Sequence, residues 1–429
     1  MSEKLATSPA AKKPVAKAAG AKPASRVKHR RRRQGTAHWH LSRRAVDISI
    51  SDVLRWDEAT CRAFLIEARW GGPDMIRCPH CGTVTQHYAR PKQKRWVCRG
   101  CRKCFSLMSG TVFDSHKMSL QELIAAALLW MNSSGGQPAL ELRRHLRKSY
   151  NTTFVLQHKL REALQRGYNV GLLNGDLEVD AAHQSGRRSW EKRGRPQVSL
   201  KITDATAKED VEAAMHQSSR AAAAKVARIK GSGRDEYGSA LPPGRRLVMA
   251  VRKRSGSKGL GAVATRIAIV MSEQEAGPAK QVLHDFAAIS ESTLNSDASP
   301  AFKEVGGKFR EHRSVEHSTR LVGENGENNN LVEELNFRLD RAESGSYLNI
   351  EAKYLYDYAV EVAFRADTRR LSNREQLKLL LNIALNVGLS QDWRGFTHGQ
   401  HREFEKLHRN PTAAPASGPP KGRKRRPPR

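Results

Sequence analysis

Two C-x2-C knuckles constrain this chain more than any other feature. Cys78-Pro79-His80-Cys81 and Cys98-Arg99-Gly100-Cys101 are separated by 16 residues. Four thiolates at that spacing wrap one tetrahedral ion, which is what a structural Zn²⁺ requires. The residues between them, Thr83-Val84-Thr85 and Arg95-Trp96-Val97, read as short strands of a zinc ribbon. The N-terminus lacks an apolar signal core, so two disulfides are the weaker reading. Cys104, just beyond the second knuckle, reads as a spectator. Cys61, in the apolar helical pattern Cys61, Phe64, Leu65, Ala68, reads as a core residue.

The formal net charge is +32, from 75 Lys and Arg against 43 Asp and Glu. Such an excess points to a polyanionic partner, nucleic acid or an acidic membrane surface. No apolar run reaches the roughly 18 residues of a membrane span, so the chain is not expected to cross one. Residues 1–44 carry +12 and residues 411–429 carry +6. Both ends are rich in Ala, Pro and Lys or Arg, with too little apolar surface to offset chain ordering. They read as disordered arms that hold phosphates without reading sequence, the plainer alternative being solubilising tails.

Periodicity places the rest. Residues 57–69 form a helix leading into the ribbon. Ser119 and Glu122 are spaced as a capping box opening a helix over 119–132. Residues 138–146 make a second helix, and Thr152-Thr153 cap a third with apolar positions Phe154, Leu156, Leu160 and Leu164. Three short helices with a tight turn before the last suggest a helix-turn-helix offering Gln157, His158, Lys159 and Arg161 to a DNA groove. The alternative is a helical linker packed on the next domain.

From residue 172 the texture is mixed α/β. Strands are expected at Leu177-Glu178-Val179-Asp180, Leu247 to Val251, Arg266 to Val270 and Ser292-Thr293-Leu294, with helices over 279–286, 328–343, 352–366 and 373–388. Residues 201–243 read as an insertion. Asp180 and Asp297 each follow a short apolar strand, and Glu333 begins a helix. Three such carboxylates converging would supply the hard oxygen ligands of two Mg²⁺ ions, a pair suited to phosphodiester chemistry, the plainer alternative being ordinary strand-end acids in solvent. Glu334 and Asn330 are rival third ligands.

The run Cys61 to Trp70 leading into Cys78-Pro79-His80-Cys81-Gly82 resembles the opening of bacterial insertion-sequence transposases of the ISXO-like branch, relatives of the Merlin transposons. So does Phe105-Ser106 with Gly110-Thr111-Val112-Phe113. Glu178-Val179-Asp180 is similar to that family's first catalytic strand and Ser296-Asp297 to its second. His312-Arg313-Ser314-Val315-Glu316-His317-Ser318 resembles the segment behind the second Asp, Asn330-Leu331-Val332-Glu333 the third motif, and Gly345-Ser346-Tyr347 the turn after it. Three positions depart from the family's pattern. Ala181 stands where an acid is usual, Asn328-Asn329 where His-Thr is usual, and Asp340 where a Lys is usual. The last departure implies either weakened DNA positioning or phosphate binding by Arg338 or Arg341 instead.

The resemblance implies a multidomain α+β chain with a DDE triad of Asp180, Asp297 and Glu333. It implies structural Zn²⁺ on Cys78, Cys81, Cys98 and Cys101, and two catalytic Mg²⁺ ions that Mn²⁺ can replace. The reaction implied is strand cleavage and strand transfer at transposon ends. The expected layout is a disordered basic arm over 1–45, a leading helix plus ribbon over 46–114, and a helix-turn-helix-like DNA-binding segment over 115–170. An RNase H-like DDE domain follows over 171–390, and a basic tail over 391–429. Expected partners are double-stranded DNA, as transposon ends and target, and further copies of the chain in a synaptic complex. The expected location is the cytoplasm, at the bacterial nucleoid. A non-cutting DNA-binding descendant of such an enzyme is the second reading.

Overall fold

The computed structural model describes residues 39–184, 234–235, 246–257, 260–270, 276–297, 299–315, 329–348 and 350–408. Residues 1–38 of the N-terminal arm, most of the 201–243 stretch and the 411–429 tail lie outside the described residues.

Helix α1 (Ile50–Arg55) opens on a Ser49–Asp52 capping box, and α2 (Glu58–Trp70) on Asp57, whose carboxylate accepts from the Thr60 N–H at 2.8 Å. Gly71, at φ 83°, ends α2 in the left-handed conformation that a side chain resists. The ribbon follows as a three-stranded antiparallel sheet of β1 (Tyr88–Arg90), β2 (Arg95–Val97) and β3 (Cys104–Ser106). The expected strand at Thr83-Val84-Thr85 is reduced to one bridge, Arg77 to Val84, just beyond the turn that the first knuckle closes.

Three helices come next: α3 (Leu120–Asn132), α4 (Ala139–Leu146) and α5 (Tyr150–Gly167). The Ser119–Glu122 capping box forms as expected. The cap of α5 is Ser149 rather than Thr152-Thr153. The Ser149 hydroxyl accepts the Thr152 N–H at 3.2 Å, so the helix starts earlier, and Thr153 is buried inside it.

Among the described residues the large sheet has five strands, β4 (Asp176–Gln184), β6 (Arg246–Arg254), β7 (Ala262–Val270), β8 (Thr293–Asp297) and β9 (Glu311–Val315), in the order β7-β6-β4-β8-β9. The first three are antiparallel neighbours, while β8 and β9 run parallel to β4. A separate parallel pair joins β5 (Arg234–Asp235) to β10 (Phe404–Glu405). Strand β6 explains why its sequence is apolar without interruption. Leu247, Met249 and Val251 pack with Leu177 and Val179 toward α6 (Ala276–Phe286) and α7 (Pro300–Gly306). Val248 and Ala250 face the other way, toward α8 (Asn330–Arg341) and α9 (Leu355–Thr368). A sheet covered on both faces needs apolar residues on both.

Helix α10 (Asn373–Asn386) joins the halves. Leu377, Leu380, Leu381, Ala384 and Leu385 repeat at helical spacing and are buried against α2, α3 and α5. Each fully buried leucine contributes roughly 1.5–3 kcal/mol. Asn382 and Asn386 donate to the Ala68 and Arg69 carbonyls at 2.7 and 2.9 Å. Residues 391–408 correct the expected tail. Trp393 is 2 % exposed, and the buried Arg402 pairs with Asp357 at 2.9 Å and Asp392 at 3.2 Å. This segment is anchored by a buried ion network, so it belongs to the folded body.

Candidate metal centres and their setting

The four knuckle cysteines converge as their spacing implies, with all four sulfurs within 4.8 Å of one another. Cys78 and Cys101 lie 3.8 Å apart, and Cys81 and Cys98 3.6 Å. A tetrahedral ion with Zn–S bonds of about 2.3 Å places its sulfurs about 3.8 Å apart, so the donor set fits Zn²⁺. Each knuckle closes by backbone bonds, Gly82 N–H to Cys78 O at 2.9 Å and Arg102 N–H to Cys98 O at 3.1 Å. Gly100 lets the knuckles approach, since a Cβ there would stand 3.0 Å from Thr83 Oγ1. Hydrogen bonds from the Thr83 hydroxyl and backbone hold the Cys81 thiol down at about 6, favouring the thiolate that binds metal. Cys104 is exposed on β3, outside this group, and Cys61 is buried in the core as expected. Trp96 anchors the ribbon, edge-on to Trp70 of α2 at 5.7 Å and stacked on Phe105 at 5.6 Å.

Among the described residues only the four cysteines gather as a ligand group for one ion; the candidate acids lie around the pairing of β4 with β8. The register of these strands pairs Glu178 with Asn295 and Val179 with Ser296. One residue further on stand Asp180 and Asp297, on strands about 4.8 Å apart and on the same face of the sheet. Asp180 is half-buried. Its Oδ2 accepts from the Asn336 amide at 3.0 Å and its Oδ1 from the Ala181 N–H at 2.8 Å. The strand continues to Gln184 rather than ending at Asp180. Asp297 Oδ1 accepts the Ser299 N–H at 3.1 Å. Behind it, His312 Nε2 lies 2.9 Å from the Ser296 hydroxyl, linking β9 to β8, and burial pushes that ring's pKa down.

Helix α8 lies along β4 and runs in the same direction. Glu178 bonds its first turn, Asp180 bonds Asn336, and Gln184 donates to Asp340 at 2.9 Å. Glu333 is exposed in that first turn, three residues before Asn336 and seven before Asp340, and so shares their helix face. Glu334 is tied to Arg338 at 2.6 Å, and Arg341 lies 5.6 Å over the Phe337 ring. Arg338 is thus engaged with an acid, and Asp340 is held by the strand.

Glu178 is a residue whose role the sequence reading missed. It is fully buried, and its Oε2 accepts the N–H groups of Leu331 and Val332 at 2.8 and 3.2 Å while Oε1 accepts from Arg254 at 2.6 Å. It therefore caps α8 from a neighbouring strand, where the helix's own Asn329 makes no side-chain cap. Burial raises its pKa against the pull of Arg254. Its signal in the sequence was its spacing, two residues from Asp180 and so on the same face. Asn336 was missed for want of any such signal.

The expected groove-reading residues are corrected. Gln157, His158 and Arg161 are at most 1 % exposed, and Lys159 is half-buried. Gln157 donates to the Gln137 carbonyl at 2.9 Å, His158 meets Asp357 at 2.9 Å, and Arg161 pairs with Glu361 at 2.6 Å. Helix α5 packs against α9 and α10, so that face stabilises the body and has no access to a DNA groove.

Two family models match the chain. A transposase zinc-ribbon domain covers residues 56–104, taking in all four knuckle cysteines. An ISXO2-like transposase domain covers residues 219–367, taking in Asp297 and Glu333 but not Asp180, and opening inside the stretch read as an insertion. No curated protein matches the chain. None of the described helices is long and apolar enough to cross a membrane. The chain is thus similar to a transposase zinc ribbon over residues 56–104 and to an ISXO2-like transposase domain over residues 219–367, in that order.

Proposed function

We propose that the chain cuts DNA at the ends of its own transposable element and joins the freed ends to target DNA, with Asp180, Asp297 and Glu333 as the catalytic carboxylates. The observation that carries this reading is the pairing of β4 with β8, which sets Asp180 beside Asp297 on one face with the Glu333 helix along that face. The sheet order supports an RNase H-like domain, with three antiparallel strands followed by two parallel ones and helices on both faces. Three carboxylates of this kind suit Mg²⁺. When bound, a metal pair activates the attacking water and stabilises the leaving oxygen. The chain's own part is to hold Asp180 through Asn336, to fix α8 on β4 through Glu178, and to keep β8 in place through Ser296 and His312.

The ribbon supplies DNA affinity beside its zinc. Residues 77–103 contain eight cations, Arg77, Arg90, Lys92, Lys94, Arg95, Arg99, Arg102 and Lys103, all exposed, and no acid. The arms add non-specific phosphate contacts, and the transferring complex contains two or more copies, one to each end. The test is incubation of the purified chain with a duplex carrying the element's own terminal sequence. Mg²⁺-dependent nicking at the element boundary, abolished by chelation, is expected. Binding of that duplex with no nicking in Mg²⁺ or Mn²⁺ overturns the reading in favour of a DNA-binding protein that does not cut.

A further inference from the structure

The turn between α4 and α5 forms an open, shallow surface cleft lined by four cations, Arg143, Arg144, Arg147 and Lys148. Two acids stand nearby: Glu122 pairs with Lys148, one of the four lining cations, at 2.7 Å, and Glu141 pairs with His145 at 3.6 Å, so the three arginines carry the excess charge. Among the described residues no ion pair joins Arg143, Arg144 or Arg147 to a carboxylate, and all three are exposed. Arg147 is the C-cap of α4 at φ 52° and ψ 39°, a left-handed conformation that glycine adopts freely and a side chain does not. The turn joins the partial negative end of α4 to the partial positive end of α5, which has no acid in its first turn, so the field here comes mainly from the cationic side chains.

Cations at this density repel one another unless an anion enters. The lining side chains are all cationic, so the cleft attracts negative charge before anything else. Guanidinium forks match phosphate oxygens in pairs. The cleft also has a rigid mount, because the rest of α5 is locked into the body through Arg161–Glu361 and His158–Asp357. Since α9 carries both acids and packs on β7, the mount fixes the cleft relative to the sheet that bears Asp180.

We propose that this cleft clamps the phosphate backbone of duplex DNA, a role that rests on the transposase reading above. The buried helix α5 then serves DNA binding by positioning its N-terminal turn, not by entering a groove.

The test measures binding of the full chain to an end-sequence duplex and a scrambled duplex across a salt series. Arg143→Ala/Arg144→Ala/Arg147→Gly should weaken both by about tenfold or more at low salt. The plot of log affinity against log salt should become shallower by roughly 2 to 3, since each phosphate contact contributes about 0.9. Arg147→Gly alone should make it shallower by about 1 while thermal stability holds or rises, because glycine suits that φ. Loss of affinity without loss of stability separates the clamp from a structural role. Unchanged affinity and slope in a folded, zinc-loaded triple variant overturn the clamp, as does a loss confined to the end sequence. A wild-type chain that binds neither duplex overturns the transposase reading and the clamp together.

Discussion

The side-chain amide of Asn336 donates to the Asp180 carboxylate at 3.0 Å, joining helix α8 to strand β4 at the acid on which the proposed chemistry depends. A group that orients a metal-binding carboxylate typically matters about 10–100-fold. Asn336→Leu keeps the volume and removes the donor, so metal-dependent cleavage should fall by about that factor while end binding stays within about twofold. Cleavage at the wild-type rate would show the bond to be incidental.

Asp180→Asn retains shape and hydrogen bonding but removes a charge that the metal ions require. Strand cleavage should fall by at least about a thousandfold, and affinity for the end duplex should stay near wild type. Asp297→Asn should behave alike. Cleavage by either variant at the native rate would contradict the assignment of that acid.

The ribbon should hold one Zn²⁺ per chain on Cys78, Cys81, Cys98 and Cys101, in a closed structural site without an open position for water. Metal analysis of Cys78→Ser/Cys101→Ser should show that zinc lost. Chelation of the wild type should disturb tryptophan emission, because Trp96 packs between the ribbon and Trp70. Full zinc in the double variant would refute the site.

Acid should destabilise the fold through His158. This ring is wholly buried, and burial and the Arg161 charge hold its pKa down at about 4 from the usual 6.5. Between those values the unfolded chain binds a proton that the folded chain refuses. Stability is therefore complete above about pH 6.5 and declines as pH falls toward 4, by about 1.4 kcal/mol per unit for this one group. Urea midpoints at about pH 7.5 and about pH 5 should differ accordingly, and His158→Gln should shrink the difference. A midpoint difference untouched by that substitution would assign the acid sensitivity to other groups.

The knuckles were legible because a ligand set for one ion must lie close along the chain, and local spacing alone defines it. Strands β6 and β7 were legible for a related reason, since burial on both faces leaves an unbroken apolar run. Strand β9 was not legible as a strand. Its sequence Glu311-His312-Arg313-Ser314-Val315 is polar, and it pairs only at the sheet edge.

Helix α5 shows how polarity misleads. Gln157, His158 and Arg161 are polar, and polarity on a helix suggests an outer face. Here their partners Gln137, Asp357 and Glu361 come from elsewhere in the chain, two of them about 200 residues away, and make burial tolerable. No local pattern announces a partner at that distance. Residues 391–408 mislead likewise, because what folds them is Arg402 meeting Asp357.

By itself the sequence determined the elements whose causes are local: the four-cysteine ribbon, the Ser119–Glu122 cap, the apolar strands and the excess of positive charge. Only the tertiary structure decided which acids stand on neighbouring strands and which cations line an open surface. Asp180 and Asp297 are 117 residues apart in the chain and become neighbours through the parallel register of β4 and β8. Arg161 and Arg144 look alike in sequence, yet one is neutralised inside the body and the other lines an open cleft. A charge's role depends on its surroundings in space, and those surroundings are assembled from distant parts of the chain.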